Sequence, residues 1–333
     1  MHMADALIAP AVAATMYVAS SMAATYSVKK VRIENDTKKI PVMGVMSAFV
    51  FATQMINFTI PGTGSSGHFG GALLLSILLG PYAGFLSMIS VLLVQALLFA
   101  DGGILALGAN IWNMAFYACF VGFFCIYRPM VKKSTKPGRI VLASVLGSAV
   151  SLQLGALSVA LETYVSGITE LSFGQFLTMM QPIHLVIGAV EGLITAAVVI
   201  FVSNTRPELL HRGTAENKVG FKQIIVILSA VVLLIGGGLS LVASNNPDGL
   251  EWSIQKVTGS TEIAPDTRNS DAVDGAAGIQ EKTAILPNYA FANNESIFGT
   301  TFSGVFGSVV VAVISIGCCI IFKLFKKKDN KTE

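Results

Sequence analysis

Apolar stretches recur along the chain at intervals suited to crossing a bilayer. Runs of about 20 residues, the length that spans a hydrocarbon core as a helix, fall near 8–28, 40–60, 82–100, 104–127, 140–166, 177–203, 220–243 and 300–323. A further stretch, 69–80, is apolar but short, and Gly80-Pro81 closes it. Proline lacks the amide donor and disfavours helix in the residue before it, so the break is expected there. Residues 245–298 interrupt the pattern, being polar and rich in Asn, Asp, Gly and Thr, with eight acidic against three basic residues. Read without other context, that stretch is an exposed loop between two final helices.

Charge orients these segments. Lys29, Lys30, Arg32, Lys38 and Lys39 form one basic loop, and Arg128, Lys132, Lys133, Lys136 and Arg139 a second. Arg206, Arg212, Lys218 and Lys222 form a third, and Lys323, Lys326, Lys327, Lys328 and Lys331 the tail. The positive-inside rule puts all four in the cytoplasm. That requires an even number of crossings between Lys39 and Arg128, and 69–80 must count as one of them, its ends covered by protein. The fold class expected is an all-α polytopic membrane protein of about nine spans, with the N-terminus outside and the C-terminus inside. Seven helices form a bundle over 1–205, residues 206–218 a cytoplasmic linker, and 219–333 a two-helix part flanking an outer loop at 244–299.

Composition agrees: 53% of the 333 residues are hydrophobic and 12% charged, about half the charge of a soluble domain. Cys119, Cys125, Cys318 and Cys319 lie in apolar segments without metal-finger spacing, and read as small membrane-helix residues. The first residues lack a basic n-region and Asp5 interrupts the first apolar stretch, so no signal peptide is expected.

The candidate chemistry starts at Met1-His2. A free α-amine, the amide nitrogen of residue 2 and Nδ1 of His2 can close fused chelate rings with three nitrogens nearly in one plane. Planar nitrogen donors favour Ni(II) or Cu(II). On the same outer side lies Pro61-Gly62-Thr63-Gly64-Ser65-Ser66-Gly67-His68. Its glycines match the dinucleotide fingerprint formally, but a membrane span precedes it and the βαβ context is missing. The glycines instead allow a loop to fold tightly into a helix bundle and present His68. His68 would complete a four-nitrogen plane. Ser66, Gln95, Asp101, Asn110 and Asn113 are candidates to orient the ligating imidazoles, Asn110 and Asn113 sharing a helix face. His184 and Glu191, seven apart on one helix face, are either a polar pathway or interhelical glue, since a carboxylate within a span needs a partner or a cavity. Glu162, near an outer helix end, reads as structural.

Met1-His2-Met3-Ala4-Asp5-Ala6-Leu7, the glycine loop ending at His68, Gln95 through Asp101-Gly102-Gly103, Gly108-Ala109-Asn110 and His184 through Glu191-Gly192 together resemble the NikM/CbiM family. These are substrate-binding membrane components of energy-coupling-factor nickel and cobalt transporters. Pro247-Asp248-Gly249-Leu250-Glu251-Trp252 resembles the signature of the NikN/CbiN companion, here fused to the C-terminal end, and so turns the outer loop into a companion domain. The resemblance implies that Met1, through its amine, His2, through backbone and imidazole nitrogens, and His68 hold the metal. It implies separate ATPase subunits and a transmembrane coupling (T/Q) subunit as partners, in the inner membrane of a bacterial or archaeal cell. Consistent with that, no Gly-x4-Gly-Lys-Ser/Thr phosphate loop is present. The chain is expected to carry Ni(II) as transported substrate, with Co(II) the alternative, and to be no enzyme. No organic cofactor and no nucleic acid are expected; lipid surrounds it.

Two other classes compete. An intramembrane metalloenzyme would need a His-Glu-x-x-His helix or three ligands with an open position; His184 and His211 are not so spaced. A vitamin or other organic-solute binder would want aromatic platforms and be indifferent to the N-terminus.

Overall fold

The computed structural model describes residues 1–31, 39–210, 220–261, 263, 270–291 and 297–329. His211 and most of the 206–218 linker lie outside them. The helices run α1 (Pro10–Lys30), α2 (Lys39–Gln54), α3 (Ala72–Leu79), α4 (Pro81–Phe99), α5 (Leu107–Lys132), α6 (Pro137–Ser166), α7 (Phe173–Thr205), α8 (Phe221–Gly237), α9 (Gly249–Thr258), α10 (Ser270–Thr283) and α11 (Ile297–Asp329). Each of the nine apolar segments thus contains a helix. Among the described residues six helical stretches are long and apolar enough to cross a membrane: α4, α5, α6, α7, the stretch 222–242 that begins in α8, and α11. α2 is shorter, and the eight residues of α3 rise only about 12 Å at 1.5 Å each.

Local signals set several boundaries. Pro81 and Pro137 open α4 and α6 at a position where the missing N–H costs nothing. Between α3 and α4 the chain turns at Gly80 with φ +90°, and a Cβ on Gly84 would meet the Leu75–Ser76 backbone. α3 and α4 are therefore packed backbone to backbone, and all eight α3 side chains are buried. Protein does cover the short segment. Residues 112–127 of α5 wind as a wider π-helix, for which the sequence offers no evident reason.

Two findings correct the all-helical expectation. The glycine loop is a small antiparallel hairpin, β1 (Phe58–Ile60) and β2 (Ser65–Gly67), with Phe58 opposite Gly67 and Ile60 opposite Ser65. Its turn uses Gly62 and Gly64 at φ +79° and +74°, a region where a side chain is strained. The polar region after α8 also carries two helices, α9 and α10, rather than a plain loop. Asp248 caps α9, accepting from the Leu250 and Glu251 amides at 2.8 Å, while Glu251 accepts from the Asp248 amide at 3.1 Å. That reciprocal capping starts a helix where Pro247 ends the extended chain.

The companion helices α8 and α11 pack on α2 and on each other. Gly236 and Gly304 meet backbone to backbone, and Gly307 faces Phe51 and Phe99. Small residues let membrane helices approach this closely.

Candidate metal centre

The first three residues are threaded into the bundle. Asn110 grips Met3 as a strand would, accepting from the Met3 amide at 2.7 Å and donating to its carbonyl at 3.1 Å. The Gly103 amide donates to the same carbonyl at 3.0 Å, and Asp5 accepts from the Ala106 amide at 2.9 Å. Met1 and Met3 are buried. The chain start is thereby fixed in position.

The α-amine of Met1 lies 3.1 Å from Nε2 of His68 and 2.5 Å from Oδ2 of Asp248. The His2 and His68 rings stack at 5.3 Å between centroids, 18° apart. Nδ1 of His2 is 3.1 Å from Oδ1 of Asp101, and Nε2 is 3.2 Å from Oε1 of Gln95. The expected donors are therefore brought together: amine, His2 and His68. The ring nitrogen that the chelate would use faces the Asp101 carboxylate here, and a half-turn of the His2 ring would move Nδ1 to where Cδ2 now lies, away from Asp101.

A hydrogen-bonded shell fixes these groups. Gln95 donates to Oε1 of Gln54 at 2.7 Å, and Gln54 donates to the Gly70 carbonyl. Tyr289 donates to Asp101 at 2.5 Å. Glu191 accepts from the Gly70 and Gly71 amides at 3.1 and 3.2 Å and so pins the strand-to-helix turn that carries His68. Ser66 donates from its amide to the Pro247 carbonyl at 2.8 Å and from its hydroxyl to the Asn246 carbonyl at 2.8 Å. Its role is to bind the companion segment. Asn110 and Asn113 part company: Asn113 donates to Glu162 at 2.7 Å. A helix face shared in sequence does not fix a shared partner.

Sequence reasoning missed Asp248, Gln54 and Tyr289 as parts of this site. Asp248 had a signal, an acidic cap three residues before Glu251, but that pattern reports a helix start and not a tertiary partner.

Burial, the adjacent amine and His2 push the His68 imidazole down to about 3, which keeps it neutral, the form that ligates. Burial likewise lowers His2, against the opposing pull of Asp101. Burial resists ionisation of Asp248, yet the amine and His68 together hold it below the usual carboxylate range. Beside these groups opens a cavity of about 600 Å³ bordered by His2, Asp5, Asp101, Asp248 and Glu251. Among the described residues no cluster of three or more His, Cys, Asp or Glu side chains could hold a metal ion.

Residues 2–209 match the CbiM family, described as the cobalt uptake substrate-specific transmembrane region. The chain belongs to this family. Residues 222–324 match the PDGLE domain, so the two are fused in one chain. A provisionally named fused nickel transport protein NikMN of Archaeoglobus fulgidus is 32% identical over 94% of this chain and 96% of its own length. The fused nickel transport protein NikMN of Rhodobacter capsulatus is 30% identical over 95% of this chain and 96% of its own. A crystal structure of a truncated transition metal transporter is 37% identical and superposes with a TM-score of 0.54, covering 64% of this chain and all of that one. This CbiM-family chain is a multi-pass membrane transport component.

Proposed function

We propose that the chain is the substrate-binding component of an energy-coupling-factor importer that captures Ni(II) from the outer side. The ion is held by the Met1 amine, the backbone and imidazole nitrogens of His2, and the His68 imidazole. One observation carries this reading: the amine, His2 and His68 converge in a partly buried corner where Asp248 lies against the amine and Asp101 against His2. Four nitrogens suit square-planar Ni(II), which the Irving–Williams order also places above Co(II). The fused NikMN relatives support nickel, and Co(II) is the alternative. Gln95 and Asp101 orient His2, and Asn110 fixes the chain start.

The bundle over 1–205 carries the ligands, 206–218 links it on the cytoplasmic side, and 219–333 is the companion part, whose outer region 244–299 borders the site. The basic loops support a topology with Met1 outside and the tail inside, in nine helical passages through the cell membrane of a bacterium or archaeon. Separate ATPase subunits and a transmembrane coupling subunit supply the energy.

The test is one residue added before Met1, compared with His2→Ala. Each should abolish the square-planar Ni(II) absorption band of the purified chain. Stoichiometric nickel with an unchanged band in the extended chain would sink the chelate.

A further inference from the structure

Immediately inward of the amine and His68 is a second, much smaller cavity of about 30 Å³, room for one water or one bare ion. Met1, His68, Asn113, His184, Glu191 and Gly249 border it. His184 is 1% exposed, and its Nδ1 sits 2.8 Å from the Met180 carbonyl. A carbonyl only accepts, so Nδ1 carries the proton and Nε2 presents a bare lone pair. That nitrogen has no hydrogen-bond partner. A backbone carbonyl fixing one ring nitrogen so that the other is free is the arrangement found behind metal-ligating histidines.

Asn113 repeats the pattern. Its amide nitrogen is committed to Glu162, which leaves Oδ1 buried and unpartnered. A buried acceptor without a donor is destabilising, and here two of them border one cavity. Two buried carboxylates stand behind them, Glu191 on the cavity wall and Glu162 behind Asn113. Neither has a cationic partner among the described residues. A cation in the cavity would meet both unpartnered acceptors, with the Glu191 carboxylate on the same wall.

We propose that His184 Nε2 and Asn113 Oδ1 form an inner binding position for a divalent transition-metal ion, continuous with the amine–His68 position through this cavity. The identity of the ion rests on the metal-uptake reading; the position itself rests on the unpartnered atoms. An imidazole and an amide oxygen hold such an ion less firmly than four nitrogens, which suits a place that receives an ion and releases it. The two positions share one small cavity, so charge repulsion makes their occupancy alternate.

The experiment uses the full chain in detergent with Co(II) as probe, read by calorimetry and by visible absorption. The chain with one residue added before Met1 should retain one equivalent of Co(II), bound more than about 100-fold more weakly than by the unextended chain. His184→Gln in the extended chain should weaken that residual binding by a further factor of about ten or more. In the unextended chain the same substitution should leave the tight equivalent in place. Asn113→Leu, which removes the oxygen while filling space, gives the same reading independently if His184→Gln disturbs folding. No residual Co(II) in the extended chain means that water alone fills the cavity, and overturns the proposal. Residual Co(II) indifferent to both substitutions overturns it as well. If the extended chain binds with wild-type affinity and spectrum, the N-terminal chelate fails instead, and the response to His184→Gln still decides the inner position.

Discussion

The α-amine of Met1 and the carboxylate of Asp248, 247 positions apart, form a partly buried ion pair at 2.5 Å. The carboxylate's other oxygen caps α9. One side chain thus starts a helix of the companion part and neutralises the first atom of the chain.

Asp248→Asn separates these two tasks, because asparagine caps a helix as well as aspartate does. The loss should fall on the ion pair alone, leaving the amine with His68 but without its counter-charge, at a cost of about 1.5–3 kcal/mol. The melting temperature of the chain prepared without nickel should drop. Asp248→Ala should drop it further, by the roughly 1 kcal/mol of the lost cap. Equal melting temperatures for Asp248→Asn and wild type would show the amine solvated instead.

Gln95 holds Nε2 of His2 and is itself held by Gln54. Gln95→Leu keeps the volume and removes the bond, so the imidazole loses its orientation. Nickel affinity should fall by about 10–100-fold while protein folding persists. Isothermal titration of wild type and variant checks this, and matching affinities would remove Gln95 from the site.

Glu191 acts through the loop it pins. Glu191→Ala strands the Gly70 and Gly71 amides in a buried place, costing about 1–3 kcal/mol for each. His68 should then be held less firmly, with weaker nickel binding and faster hydrogen exchange at residues 67–71. Glu191→Gln, which keeps one acceptor oxygen, should recover part of both. Unchanged exchange in Glu191→Ala would show that the loop is held by other contacts.

His68→Ala removes one of four nitrogens from the proposed plane. The visible spectrum of the nickel complex should change and the affinity fall by at least the 10–100-fold seen for supporting residues. A band identical to wild type would exclude His68 as a ligand.

Deleting residues 219–333 leaves every proposed ligand in place, but removes Asp248 from the amine and Pro247 from Ser66. Nickel binding by the purified remainder should persist, whereas uptake in cells carrying the partner subunits should fall. Normal uptake by the truncated chain would show the companion part dispensable.

Much of this protein was legible in its sequence. Hydrophobic run length, with charge parity for 69–80, located nine of the eleven described helices, because an apolar helical segment announces itself locally; α9 and α10 lie in the polar stretch and did not. The proposed donors at Met1, His2 and His68 could be named because a terminal chelate and a glycine-framed loop are short-range features. Tertiary packing decided the rest. It gave Asn110 to Met3 and Asn113 to Glu162, although the two share a helix face in sequence. It made Glu191 the anchor of the His68 loop, and brought Asp248 and Tyr289 from the companion part to the metal corner. Periodicity tells which residues a helix buries; it carries no information about the distant group that each buried polar atom must meet. Where that group is lacking, as at His184 and Asn113, only the folded arrangement reveals it.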